Sequence, residues 1–107
     1  MDRIAPLEAW LRERPGDRFA LYSLALELRK VGRHDEALET FAELLAAHPR
    51  SGAGHLQHGA LLRDLGRIDA AGEAWRAGLE ALRDVGDAEA VRSRREIAQA
   101  LVEIEDE

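Results

Sequence analysis

Apolar side chains recur along this chain at helical spacing, and glycine and proline interrupt them at regular intervals. Ile4, Leu7 and Leu11 fall on one helical face, followed by Leu21, Leu24, Ala25 and Leu28, and then by Leu38, Phe41 and Leu45. No segment alternates in the manner of a strand. Turn signals stand at Pro15-Gly16-Asp17, Gly32-Arg33, Pro49-Arg50-Ser51, Gly66-Arg67 and Val85-Gly86-Asp87. Asp17, Ser51 and Asp87 have short oxygen-bearing side chains suited to capping a helix start. The pattern predicts six helices, over 3–14, 18–31, 35–48, 52–65, 69–84 and 88–104. Pro6 is compatible with the first of these because proline is tolerated in an opening turn.

Sliding the chain against itself by 34 residues brings Leu28 onto Leu62, Gly32-Arg33 onto Gly66-Arg67, Ala37 onto Ala71, Phe41 onto Trp75 and Leu45 onto Leu79. A fixed period of this length, holding two helices, is the signature of a helical repeat. Continued backwards, the register sets Leu7 on Phe41, Leu11 on Leu45 and Pro15 on Pro49, so the first helix is a lone second-half helix. Continued forwards, it fails at Arg94-Arg95. The last helix is expected to be a cap, apolar at Val91, Ile97, Ala98, Leu101 and Ile104. Repeat arrays need such covers at their ends, so the chain is expected to form one complete short array.

The residues resemble the tetratricopeptide repeat. Its pattern is met by Leu21, Leu24-Ala25, Leu28, Ala37, Phe41 and Pro49 in the first copy, and by His55, His58-Gly59, Leu62, Ala71 and Trp75 in the second. The leading aromatic of the motif is absent from both copies, and the closing proline from the second, where Arg83 stands. Small residues are kept at Ala25, Ala37, Gly59 and Ala71, where two helices must approach closely. The resemblance implies an all-α fold, a short right-handed α-solenoid of helix hairpins. Residues 1–107 would form a single domain, with an N-terminal half-repeat helix at 3–14, repeats at 18–49 and 52–84, and a capping helix at 88–104.

Composition narrows the chemistry. There is no cysteine, which removes disulfides, thiolate metal sites and cysteine nucleophiles together. The net charge of −6 argues against a nucleic-acid partner. Arg92, Arg94 and Arg95 form the one basic cluster, but Glu89 and Glu96 interleave it, and it reads as a solvated helix face. No run approaches 18 apolar residues and no apolar leader core begins the chain, so no membrane role is expected and the location is expected to be cytoplasmic.

His55 and His58, in the stretch Gly-His-Leu-Gln-His-Gly, are three residues apart and invite a metal reading. The register instead puts them on Leu21 and Leu24, on the core stripe. Two histidines also fall short of the three protein ligands a zinc site needs. Ser51 lies near His55 but at a helix start, with no nucleophile elbow around it. No glycine-rich phosphate loop is present; Gly72 and Gly78 lie inside a predicted helix and read as close packing around Trp75. Neither a cofactor, a metal nor catalysis is expected.

One feature exceeds what a core needs. A second stripe runs along the 18–31 helix through Phe19, Tyr22, Leu26, Arg29 and Arg33. Its equivalent on the 52–65 helix is Ala53, Leu56, Ala60, Arg63 and Arg67. The resemblance implies that this side of the first helices lines a concave peptide-binding groove. An apolar floor with an arginine rim suits a protein or peptide that has apolar anchors and acidic residues. Phe19 and Tyr22 have an alternative place, packed under Trp10 of the first helix. The expected function is a non-catalytic protein- or peptide-binding adaptor. The alternative is a self-association unit, a weak homodimer formed through Trp10 or the 97–104 face.

Overall fold

A computed structural model describes residues 2–106, and these contain six α-helices and no strand. They are α1 (Ile4–Glu13), α2 (Arg18–Lys30), α3 (His34–Ala47), α4 (Gly52–Asp64), α5 (Ile68–Leu82) and α6 (Ala88–Glu105). The all-α reading and all six predicted helices hold, with ends shifted by one or two residues. The three expected caps are formed: the side chains of Asp17, Ser51 and Asp87 accept from the backbone N–H of Ala20, Gly54 and Ala90 at 2.9, 3.1 and 2.8 Å. Each satisfies a donor that the first helical turn leaves unpaired, an effect of about 0.5–2 kcal/mol.

The 34-residue period is visible in the backbone hydrogen bonds. After α2, the N–H of Gly32 donates to Arg29 and that of Arg33 to Leu28. After α4, Gly66 donates to Arg63 and Arg67 to Leu62, the same pattern one period later. Both are Schellman turns, which require a left-handed residue just past the helix. Gly32 (φ 84°) and Gly66 (φ 79°) supply it at no steric cost.

The chain divides into two compact units, Met1–Pro49 and Arg50–Glu107. In the first, α2 packs against both α1 and α3. Its core is made by Leu21, Ala25 and Leu28 of α2 with Ala37, Phe41 and Leu44 of α3, closed at one end by Ile4. His48 ties the end of α3 to the α1–α2 turn by a 2.7 Å hydrogen bond from Nε2 to the carbonyl of Gly16.

In the second unit, α4, α5 and α6 pack mutually around Trp75, Leu61, Leu82 and Ile97. Close helix approach rests here on missing side chains. A Cβ on Gly59 would meet the Trp75 indole, one on Gly78 would lie 2.8 Å from His55 Cβ, and one on Gly52 would collide with Ser93. The expectation that Gly72 and Gly78 pack around Trp75 is thus redistributed: Gly59 faces Trp75 and Gly78 faces His55, while a Cβ on Gly72 would meet only Arg76 of its own helix. Ala25, Ala37 and Ala71 are fully buried, as small residues at helix crossings should be.

Two readings of α6 change. Its buried residues are Ala90, Ser93, Ile97, Ala100 and Leu101, whereas Val91 and Ala98 are exposed and Ile104 is half-buried. The face that packs is set by Ser93 fitting against Gly52, and this turns Val91 and Ala98 outward. Arg94 is not part of a solvated face. Its Nη1 donates to the carbonyls of Leu82 (2.6 Å) and Val85 (2.5 Å) at the end of α5, where Leu82 O also accepts the backbone N–H of Val85 at 3.1 Å.

Candidate functional site

The first of the two expected stripes lies on α2. Phe19, Tyr22, Leu26 and Arg29 follow one another at three- and four-residue steps and share a side of the helix. Phe19 is the most exposed large apolar residue described, at 76%. It is not covered by α1: Trp10 is itself 48% exposed and carries the Arg14 guanidinium over its ring at 4.1 Å. Tyr22, Leu26 and Arg29 are half-buried. Leu26 is therefore less open than its place on a non-core stripe suggests, because α1 lies beside it.

Phe19 and Leu26 line the α2 side of a cleft between α1 and α2. One part, of about 540 Å³, is lined by Arg3, Pro6, Leu7, Phe19, Ser23 and Leu26, with Asp2 and Glu27 at its edge. An adjoining part of about 450 Å³ is lined by Pro6, Leu7, Trp10, Phe19 and Ala20, with Asp17 at its edge. Pro6, Leu7 and Ser23 were not among the residues expected at a site. Their signal in the sequence was the register, which equates Leu7 with the buried Phe41.

The second stripe lies on α4, with Leu56, Ala60 and Arg63 all half-buried. Leu56 is held from behind: its carbonyl accepts the indole N–H of Trp75 at 3.1 Å. Arg63 sits 5.6 Å from the centre of the Trp75 ring and 3.2 Å from Asp64. Arg67 is exposed and stands at the start of α5.

The arginines are engaged rather than bare. Arg33 grips Glu36 by two hydrogen bonds, 2.9 and 2.6 Å, in a fork geometry. That hydrogen bond is the chief reason the guanidinium pKa is raised and the Glu36 carboxyl is held below its ordinary value. Arg29 and Arg67 also have partners. An incoming carboxylate would have to displace these contacts.

The histidine pair lies in the second unit. His55 is buried beneath Gly78 and His58 is half-buried; both have partners. Burial first, and the neighbouring His55 second, push the His58 pKa down, which favours the neutral ring. Among the described residues no three histidine, aspartate or glutamate side chains are grouped to hold a metal. Among the described residues no helix is long and apolar enough to cross a membrane.

A tetratricopeptide repeat domain protein from Salinibacter ruber, determined by solution NMR, matches this structure with a TM-score of 0.76. The two are 29% identical over 86% of this chain and 90% of the other. A crystal structure of a tetratricopeptide repeat domain protein from the same organism gives 0.72 at 29% identity, over 84% and 97%. The chain has a tetratricopeptide-repeat-like fold. MamA from Desulfovibrio magneticus, residues 41 to the end, shares that fold at 18% identity with a TM-score of 0.66, over 90% of this chain and 63% of its own. No family model matches the sequence, and no curated protein matches it. In the tetratricopeptide-like frame, α2 and α4 are the first helices of the two repeats, and both stripes lie on them. The fold is one of protein-interaction repeats.

Proposed function

We propose that this protein is a non-catalytic adaptor that binds a protein or peptide along the outer stripes of its first helices. The observation that carries the reading is Phe19, 76% exposed at the mouth of an apolar cleft that also holds Leu26. A large aromatic left open beside an apolar floor is what an anchoring side chain of a partner would fill. Leu26 and Leu56 supply apolar contacts, and Arg29, Arg33, Arg63 and Arg67 bias the partner toward acidic residues. The net charge of −6 disfavours nucleic acid, and the absence of cysteine together with the lack of a membrane-crossing helix supports work in the cytoplasm.

Selection from a displayed library of random peptides tests this directly. Enriched sequences are expected to combine one or two large apolar residues with aspartate or glutamate. The amide shifts they cause in an NMR titration should centre on Phe19, Tyr22 and Leu26 and on Leu56 to Arg63. Peptides that bind but shift only α3 or α5 would refute the assignment.

A further inference from the structure

The repeat register shows which face of α1 is open. Shifting by 34 residues equates Pro6, Leu7 and Trp10 with Thr40, Phe41 and Leu44. On α3 those three are 7%, 0% and 0% exposed, within a hairpin closed by the first helix α2. On α1 the same face is open among the described residues: Pro6 is exposed, Leu7 half-buried and Trp10 48% exposed. The cleft at Pro6, Leu7, Trp10 and Phe19 lies where the register would put a first helix.

The converse face is open on α6. α6 packs on α5 and α4, as a first helix of a further repeat would, and among the described residues no second helix follows it. Its open side carries Val91 (40% exposed), Arg95, Ala98 and Val102 (50%) at i, i+4, i+7 and i+11, one continuous stripe. Five large apolar residues are exposed among those described, and four of them lie on these two surfaces: Trp10 and Phe19 on the cleft, Val91 and Val102 on α6. Each surface lacks what the other offers.

We propose that α6 of one copy seats in the α1–α2 cleft of a second copy, so that a first helix and a second helix from different molecules complete one repeat. The contact is head-to-tail, between two different surfaces. One helix stripe on one cleft is a small interface, so the association is weak and concentration-dependent. The inference does not rest on the peptide-binding reading, although the seat shares Phe19 and Leu26 with it.

The test is the mass in solution, by sedimentation equilibrium from micromolar to millimolar protein, for the parent, Trp10→Asp, Val102→Asp and an equimolar mixture of the two variants. Both positions are about half exposed, so both variants should fold; Phe19→Asp and Ala98→Arg are second choices for the two surfaces, checked by circular dichroism. The parent is expected to associate as concentration rises, and each variant alone to remain monomeric. The mixture should form a one-to-one dimer, because one variant keeps the α6 stripe and the other keeps the seat. A parent that stays monomeric at millimolar concentration overturns the proposal and leaves the seat to another occupant. A mixture that fails to pair, while the parent associates, also overturns it and places self-association on some other surface.

Discussion

The indole N–H of Trp75 reaches across from α5 to the carbonyl of Leu56 on α4, 3.1 Å away, over the bare Cα of Gly59. The bond and the glycine are one device. A Cβ at position 59 would run into the indole ring that makes this bond. Gly59→Ala is therefore expected to destabilise by roughly 1–3 kcal/mol through overpacking, even though alanine is the better helix former by about 1 kcal/mol. Thermal or urea unfolding measures it; a stabilised Gly59→Ala would show that the two helices are not this close.

Arg94 separates from its neighbours Arg92 and Arg95 by what it touches. It donates to Leu82 O and Val85 O, whereas the other two are exposed. Arg94→Ala removes a charged donor from both carbonyls, leaving Leu82 O with the N–H of Val85, and should cost about 1.5–3 kcal/mol, the range for a hydrogen bond to a charged group. Arg92→Ala and Arg95→Ala should stay within about 0.5 kcal/mol of the parent. Equal effects of all three in urea unfolding would contradict the cap.

What the sequence made legible follows from this contrast. The helices, the three side-chain caps and the turn glycines depend on neighbours a few residues away, and the 34-residue register repeats them, so they could be read directly. Arg94 could not, because its partners are backbone oxygens, which every residue has and no sequence pattern marks. Trp10 and Phe19 were open to two readings for a different reason. An apolar residue at the end of a repeat array has the same spacing as one in its middle, and only the presence or absence of a covering helix tells them apart. Leu26 and Leu56 were legible as lying off the core stripe but not as half-buried, since their cover comes from packing geometry rather than from periodicity.

Acid should weaken the second unit through His58. Its folded-state pKa lies below the ordinary imidazole value of about 6.5, because burial, and then His55, disfavour the charged ring. The unfolded chain thus takes up a proton at a higher pH than the folded one. As pH falls from above about 6.5 toward the folded-state pKa, the unfolded state binds more protons and stability declines; above about 6.5 the contribution is level. His58→Leu, which restores the residue that Leu24 occupies one period earlier, should flatten the pH dependence of the melting temperature in that window. If the variant loses stability across pH 7.5 to 5.5 (roughly one unit either side of the ordinary value) as steeply as the parent, His58 is not the titrating group.

The α2 stripe allows folding and binding to be separated within one helix. Phe19 is 76% exposed, so Phe19→Asp should change stability by no more than about 0.5 kcal/mol. Leu26 is half-buried against α1, so Leu26→Asp removes some apolar burial and places a carboxylate beside Leu7, at an expected cost of about 1–3 kcal/mol without unfolding the chain. Both should abolish capture of a peptide selected on the parent protein: an anchoring contact is lost, and the new negative charge opposes an acidic ligand. Arg29→Glu should slow association more than it speeds dissociation, because a charge at the edge acts mainly on encounter, and its effect should shrink as salt is raised. Surface plasmon resonance on the same immobilised peptide compares all three. The informative variant is Phe19→Asp, since it is the one expected to fold like the parent. If it still captures the peptide at the parent's affinity, the ligand does not use the α2 stripe, and the exposure of Phe19 belongs to contact between copies of the protein rather than to peptide recognition.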